Sequence, residues 1–159
     1  MGDYAARGAR TASDRDHRHA CRHGPPLSRP IVGDVIGFAL QWDGQACGVL
    51  WISGDTVLYD GVRQVADRLQ VGTALLHLGG VRFPISGPVR YAMTAKEAVV
   101  LCRLVQPRTV VPIHYEGWKH FREGRQAIER RLANAPEGTG ADPVVADRRR
   151  DQAGWMSNL

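Results

Sequence analysis

The sequence predicts an α/β fold, a layer of short buried strands flanked by helices. Two observations carry that expectation. Between residues 34 and 132, runs of Val, Ile and Leu alternate with runs whose apolar residues recur at helical spacing. The strand-like runs are short and stop at Gly or Pro. Such alternation builds a sheet with helices packed against it. A third observation sets the scale: 159 residues, 43% apolar and 23% charged, suit one packed domain with tails.

The elements follow in order. DVIGFALQW (34–42) is apolar and rich in β-formers, the first expected strand. Asp43 and Gly44 supply a hairpin turn, and QACGVLWIS (45–53) returns as a second strand. Val62, Val65, Ala66 and Leu69 mark a helix over 58–69. TALLHL (73–78) is a buried strand that ends at Gly79 and Gly80, before a loop punctuated by Gly and Pro. Thr94 with Glu97 forms a capping-box pattern for a helix over 95–104. TVVPI (109–113) is a strand, and a last helix is expected over 117–132.

Three segments differ in composition. Residues 1–22 are rich in Arg, Asp and His without apolar periodicity and read as an irregular leader. Residues 23–134 read as the folded domain, and 135–159 as a loosely ordered tail rich in Gly, Pro and charge. The net charge of +5 is spread over residues 1–30 (+3), 31–134 (+3) and 135–159 (−1). A nucleic-acid binder concentrates its positive charge on one face. No nucleic-acid partner is therefore expected, and the charge serves solubility and weak attraction for anions. No run of 18 apolar residues is present, so no membrane-spanning helix is expected. The start lacks an apolar signal region, and the three cysteines (Cys21, Cys47, Cys102) form no CxxC pair. A reducing cytoplasm is the expected location. Cys47 and Cys102 fall at apolar positions and read as core residues.

Chemistry-bearing residues collect at strand ends. His23 lies in Arg22-His23-Gly24-Pro25, Asp55 follows the second strand in SGDT (53–56), and His114 follows TVVPI. In open α/β sheets the functional groups gather beyond the carboxyl ends of the strands. Singly, Asp55 reads as a turn residue, His114 as a hydrogen-bonded core histidine and His23 as a loop residue. Together, two imidazoles and a carboxylate suit one divalent cation: zinc first, with manganese or iron as alternatives. His77, within the strand LLHLGG, reads as a core histidine, and His120 as exposed on the last helix.

At these residues the chain resembles the second half of a metallo-β-lactamase-fold hydrolase. The resemblance is to the branch that includes ascorbate-6-phosphate lactonase-like proteins. It is carried by RHGP (22–25), SGDT (53–56), LGG (78–80), MTAKEA (93–98) and VPIHYEGW (111–118), over residues 20–132. It implies the C-terminal half of an αββα sandwich and two metal ions per intact site. It assigns His23 to the first metal, Asp55 as the carboxylate bridging both, and His114 to the second. Asp55 and His114 are thereby the implied catalytic residues, holding cations that make hydroxide from water. The implied substrate is a small ester, lactone or phosphoester. Tyr115, Glu116 and Trp118 follow His114 and are candidates for the pocket rim, or for packing and solvation.

The chain departs from that family in one respect. The family's His-X-His-X-Asp-His motif, which supplies most of the metal ligands, is absent. DHRH (16–19) has its acid in front of the histidines, so His17 and His19 are not expected to be native ligands. Activity is therefore expected to be impaired. Where the family places a Thr-, Ala- and Val-rich strand, residues 14–21 read DRDHRHAC, which is not expected to form a buried strand. That mismatch implies a shifted reading frame or misassigned start for the leader. Loss of one sheet of a sandwich leaves an apolar sheet face, which favours association into a homo-oligomer. A non-catalytic interaction module using that face is the alternative reading.

Overall fold

The structure, a computed structural model, describes residues 15–22, 24, 33, 35–84, 87–136 and 142–143. The strands are β1 (Arg15–Cys21), β2 (Val35–Gln41), β3 (Val49–Ile52), β4 (Val71–His77), β5 (Thr109–Ile113) and β6 (Asp142–Pro143). The helices are α1 (Asp60–Arg63), α2 (Val65–Arg68), α3 (Ala95–Val105) and α4 (Arg125–Ala133). The strands form one sheet in sequence order. β1, β2 and β3 pair antiparallel, and β3 through β6 pair parallel.

Each parallel step advances one place in the same direction, so crossovers of the usual right hand put the helices on a single face. The core agrees. Ala39, Trp51, Ala74, Leu76 and Val110 from the sheet pack in one buried cluster with Val62 and Val65, with Ala98, Leu101 and Cys102, and with Ile128 and Leu132. Strand alternation puts Leu40, Leu50, Ile52, Leu75 and Val111 on the opposite face, where they are half-buried. Neighbouring strands hold those residues in register, Leu40 opposite Leu50, Ile52 opposite Leu75 and Leu75 opposite Val111.

The α/β reading is borne out, and several boundaries move. The expected irregular leader gives way to β1 over Arg15–Cys21, paired with β2 through seven residues. An edge strand needs only one ladder and is a usual place for charged residues. Residues 1–14 lie outside the described residues. β3 starts at Val49, because Gly48 has a φ of +103° and a Cβ there would lie 2.3 Å from the Gln70 carbonyl. Cys47 consequently falls outside the strand and is exposed, not in the core. The single helix expected over 58–69 is two short ones that meet at Gln64. The Asp67 amide donates to the Gln64 carbonyl at 3.2 Å, a tight turn that lets Val62 and Val65 both face the core. In the tail, Asp142 and Pro143 pair with Thr109 and Val110. Residues 137–141 and 144–159 lie outside the described residues.

The capping box of α3 is present. Glu97 N donates to Thr94 Oγ1 at 3.2 Å and Thr94 N to Glu97 Oε2 at 2.9 Å. Arg90 grips the same carboxylate with two bonds of 2.6 and 2.8 Å, and Glu123 accepts the Ala95 amide at 2.6 Å. Two carboxylates thus sit at the positive end of this helix.

Candidate functional site

The parallel strands β3, β4 and β5 run the same way, so Ser53, Leu78 and His114 leave the sheet along one edge. The loop after β3 is shaped by Gly54, whose φ is +66° and whose Cβ would meet the Ile36 carbonyl at 2.5 Å. No larger residue fits there. The turn delivers Asp55, half-buried with Oδ1 shielded from solvent. The loop after β5 turns at His114 itself, which adopts a left-handed φ of +58°. That conformation is tolerated by His better than by bulky residues and is common at functional loops. The two loops bring His114 Nδ1 to 3.9 Å from Asp55 Oδ1.

Ser53 and His77 brace this pair. Ser53 is fully buried, and its hydroxyl donates to the Gly54 carbonyl at 2.9 Å while accepting the His77 amide at 3.0 Å. His77 Nδ1 lies 3.5 Å from the same hydroxyl, and its ring centroid is 5.6 Å from that of His114. Burial, and then the nearby His114, push the His77 pKa down to about 4, which keeps it neutral. His77 is therefore more than a core histidine: it lies between the β3 loop and His114. The strand pattern hid this, because both its neighbours, Leu76 and Leu78, are buried.

His23 lies outside the described residues. Its neighbour Arg22 is described and is tied to the loop that carries Asp55. Arg22 N donates to Thr56 Oγ1 at 3.0 Å and Val57 N donates to the Arg22 carbonyl at 3.0 Å. The Arg22 guanidinium lies 4.7 Å over the Tyr59 ring. His17 and His19 lie on β1, in register with Ala39 and Gly37.

The segment after His114 differs from the expected helix. α4 starts only at Arg125, because Arg122 N and Glu123 N donate to the Gly79 carbonyl, at 2.8 and 3.2 Å, instead of to a helical turn. Phe121 lies over Gly79, where a Cβ would meet the ring at 2.7 Å. Arg82 N donates to the His120 carbonyl at 3.2 Å. The segment 81–93 is closed at its base by Tyr91 N to Val81 O and Gly80 N to Met93 O, both 3.0 Å. His120 is not exposed as expected: it is half-buried, with Phe83, Trp118 and Phe121 centroids at 5.0, 5.4 and 5.3 Å. Of the rim candidates, Tyr115 is buried, Glu116 accepts from Arg125 Nε at 3.0 Å, and Trp118 is 68% exposed.

No protein-family profile matches the chain. Among curated proteins it is similar to a UPF0173 metal-dependent hydrolase of Methanoregula boonei, 32% identical over 109 residues. The match covers 66% of this chain and 44% of that protein. Among solved structures it superposes on the isothiocyanate hydrolase from Delia radicum gut bacteria with a TM-score of 0.68 at 17% identity. That superposition covers 84% of this chain and 51% of the other. The metallo-β-lactamase-fold protein YhfI of Bacillus subtilis superposes with a TM-score of 0.53 at 10% identity, over 85% of this chain and 48% of YhfI. The chain carries part of the metallo-β-lactamase fold. It spans about half the length of the proteins it matches.

The metallo-β-lactamase fold raises the question of a cation, and the donor chemistry answers it in part. Ligand bonds of about 2.0–2.2 Å at a tetrahedral angle set an imidazole nitrogen and a carboxylate oxygen about 3.3–3.6 Å apart. Asp55 Oδ1 and His114 Nδ1, 3.9 Å apart, come within a few tenths of an ångström of that spacing. Among the described residues, no group of three or more His, Cys, Asp or Glu is placed to hold a metal. Asp55 and His114 thus fit a cation as two of its ligands, a half-set that needs further donors.

Proposed function

We propose that this chain works in a metal-dependent hydrolase, acting on a small ester, lactone or phosphoester. The observation that carries the reading is the approach of Asp55 and His114 to 3.9 Å where the parallel strands end. Asp55, His114 and His23 would hold the metal, with His23 supported by the bonds that tie Arg22 to the Asp55 loop. A divalent cation supplies Lewis acidity, which polarises a carbonyl or phosphoryl group and makes water acidic near neutral pH. The protein's own part is placement. Asp55 supplies the anionic oxygen, His114 the imidazole, and Ser53 with His77 keeps their loops from separating. Zinc is the first choice for this donor set, then manganese or iron. The relatives' metal-dependent hydrolase names support the class, and the fold of the isothiocyanate hydrolase supports a small organic substrate. Turnover by this chain alone is expected to be low, because it lacks the His-X-His-X-Asp-His motif. No described helix is long and apolar enough to cross a membrane; a cytoplasmic location is part of the proposal, because three cysteines with no CxxC spacing suit a reducing compartment.

The test is metal content per chain, by elemental mass spectrometry on protein purified without a His tag and dialysed. Because the donors present are a partial set, about one weakly held equivalent of zinc, manganese or iron is expected, falling sharply in Asp55→Ala and His114→Ala. A chain that carries no metal and takes up none from added zinc rules the reading out.

A second reading, a non-catalytic module that assembles as a homo-oligomer, is favoured by the half-buried apolar row Leu40, Leu50, Ile52, Leu75 and Val111. It predicts an oligomer in sedimentation whose assembly is indifferent to chelators. Dissociation on removing metal would count against it.

A further inference from the structure

We infer that the loops beyond β4 and β5 form a binding wall for an aromatic ring carried by a small-molecule substrate. The inference rests on the hydrolase reading, because it seats that ring beside Asp55 and His114. The wall starts at His114, where the Phe121 ring stands edge-on at 5.1 Å with an interplanar angle of 84°. It continues to His120 at 5.3 Å, then divides to Trp118 at 5.4 Å and Phe83 at 5.0 Å. Tyr91 extends it, 5.2 Å from Phe83.

None of these rings belongs to the buried core cluster. Phe83, Tyr91, His120 and Phe121 are half-buried and Trp118 is 68% exposed. Single exposed apolar residues are ordinary, but a contiguous row leading to a polar site marks a surface with an occupant. The row is also held in place. Two amides bond the Gly79 carbonyl, one bonds the His120 carbonyl, and a pair closes the base of 81–93. Phe121 sits where any side chain at position 79 would collide. A wall fixed before binding costs little ordering entropy. Trp118, at the exposed end of the row, presents its ring to solvent, and a flat aromatic ligand stacks on such a ring better than a flexible alkyl chain does. The exposed Arg82, Lys119 and Arg122 interrupt the apolar surface around it, which limits the occupant to a small group and disfavours a protein partner.

The test measures binding with no metal and no turnover. The full chain, in excess chelator, is titrated with N-benzylacetamide and with N-butylacetamide, read by saturation-transfer NMR and tryptophan fluorescence. The benzyl compound is expected to bind about tenfold tighter, and Trp118→Ala to weaken it about fivefold, from loss of one aromatic partner. Trp118 is too exposed for this substitution to unfold the chain. Trp42→Ala, at the hairpin on the far edge of the sheet, should change nothing. Equal affinity for the two compounds, or an unchanged affinity in Trp118→Ala, overturns the inference. Either failure leaves metal content untouched. A chain that takes up no metal when zinc is added, yet prefers the benzyl compound in chelator, would overturn the hydrolase reading alone.

Discussion

Gly79 and Gly87 both have positive φ, +100° and +58°, yet they carry different loads. A Cβ on Gly79 would meet the Phe121 ring at 2.7 Å and the His114 carbonyl at 2.9 Å, whereas Gly87 faces open space. Gly79→Ala is therefore expected to cost at least about 2 kcal/mol and Gly87→Ala about 1 kcal/mol, both read from urea midpoints. Cys102 gives a second expectation at this scale. Burial pushes its thiol up from 9.0 to about 12. The unfolded thiol ionises first, so its contribution is intact below pH 9 and is lost as pH rises toward 12. The loss is at most about 1.4 kcal/mol per pH unit. The pH dependence of stability of Cys102→Val, compared with the parent between pH 8 and 11, should lack that component. The positions of Asp55 and His114 just after strands were legible in the sequence, because each follows a strand-like run; their approach to 3.9 Å was not. Cys47 and His120 were misread. Their surroundings depend on Gly48 and on the Gly79 carbonyl, contacts too distant along the chain to show as periodicity.

α3 shows how local signals reach the page intact. Thr94 and Glu97 are three residues apart, so the box they form needs no tertiary contact. Thr94→Ala is expected to lower stability by about 1 kcal/mol, measured by thermal or urea unfolding. Glu97→Gln should cost more than a simple cap does, because Arg90 also grips that carboxylate. α4 is the opposite case. Its first eight expected residues are drawn off by bonds to Gly79 and Arg82 elsewhere in the loops. β1 is a third case: DRDHRHAC has the wrong composition for a buried strand, and only its place at the sheet edge allows it to pair.

Over the whole molecule, helices cover one sheet face and leave the other half-buried. A lysine at Val111, in the middle of that open row, should not disturb the core on the helix side. Val111→Lys is therefore expected to shift any self-association toward monomer in sedimentation, with a melting temperature within a few degrees of the parent. An unchanged assembly would show that this face is not where copies meet. The α/β class followed from the alternation of runs, and a sheet with helices on one face from the resemblance to half of an αββα sandwich. The pairing of loops at the carboxyl edge did not, since it depends on register.

The segment 81–93 returns to its own starting point, so its ends stay put whatever lies between them. Breeders of new variants, natural or in the laboratory, thus have a cassette. Its contents could be lengthened, shortened or exchanged between relatives while the spacing of Asp55 and His114 is inherited unchanged. Diversity among descendants of this chain should accumulate there first.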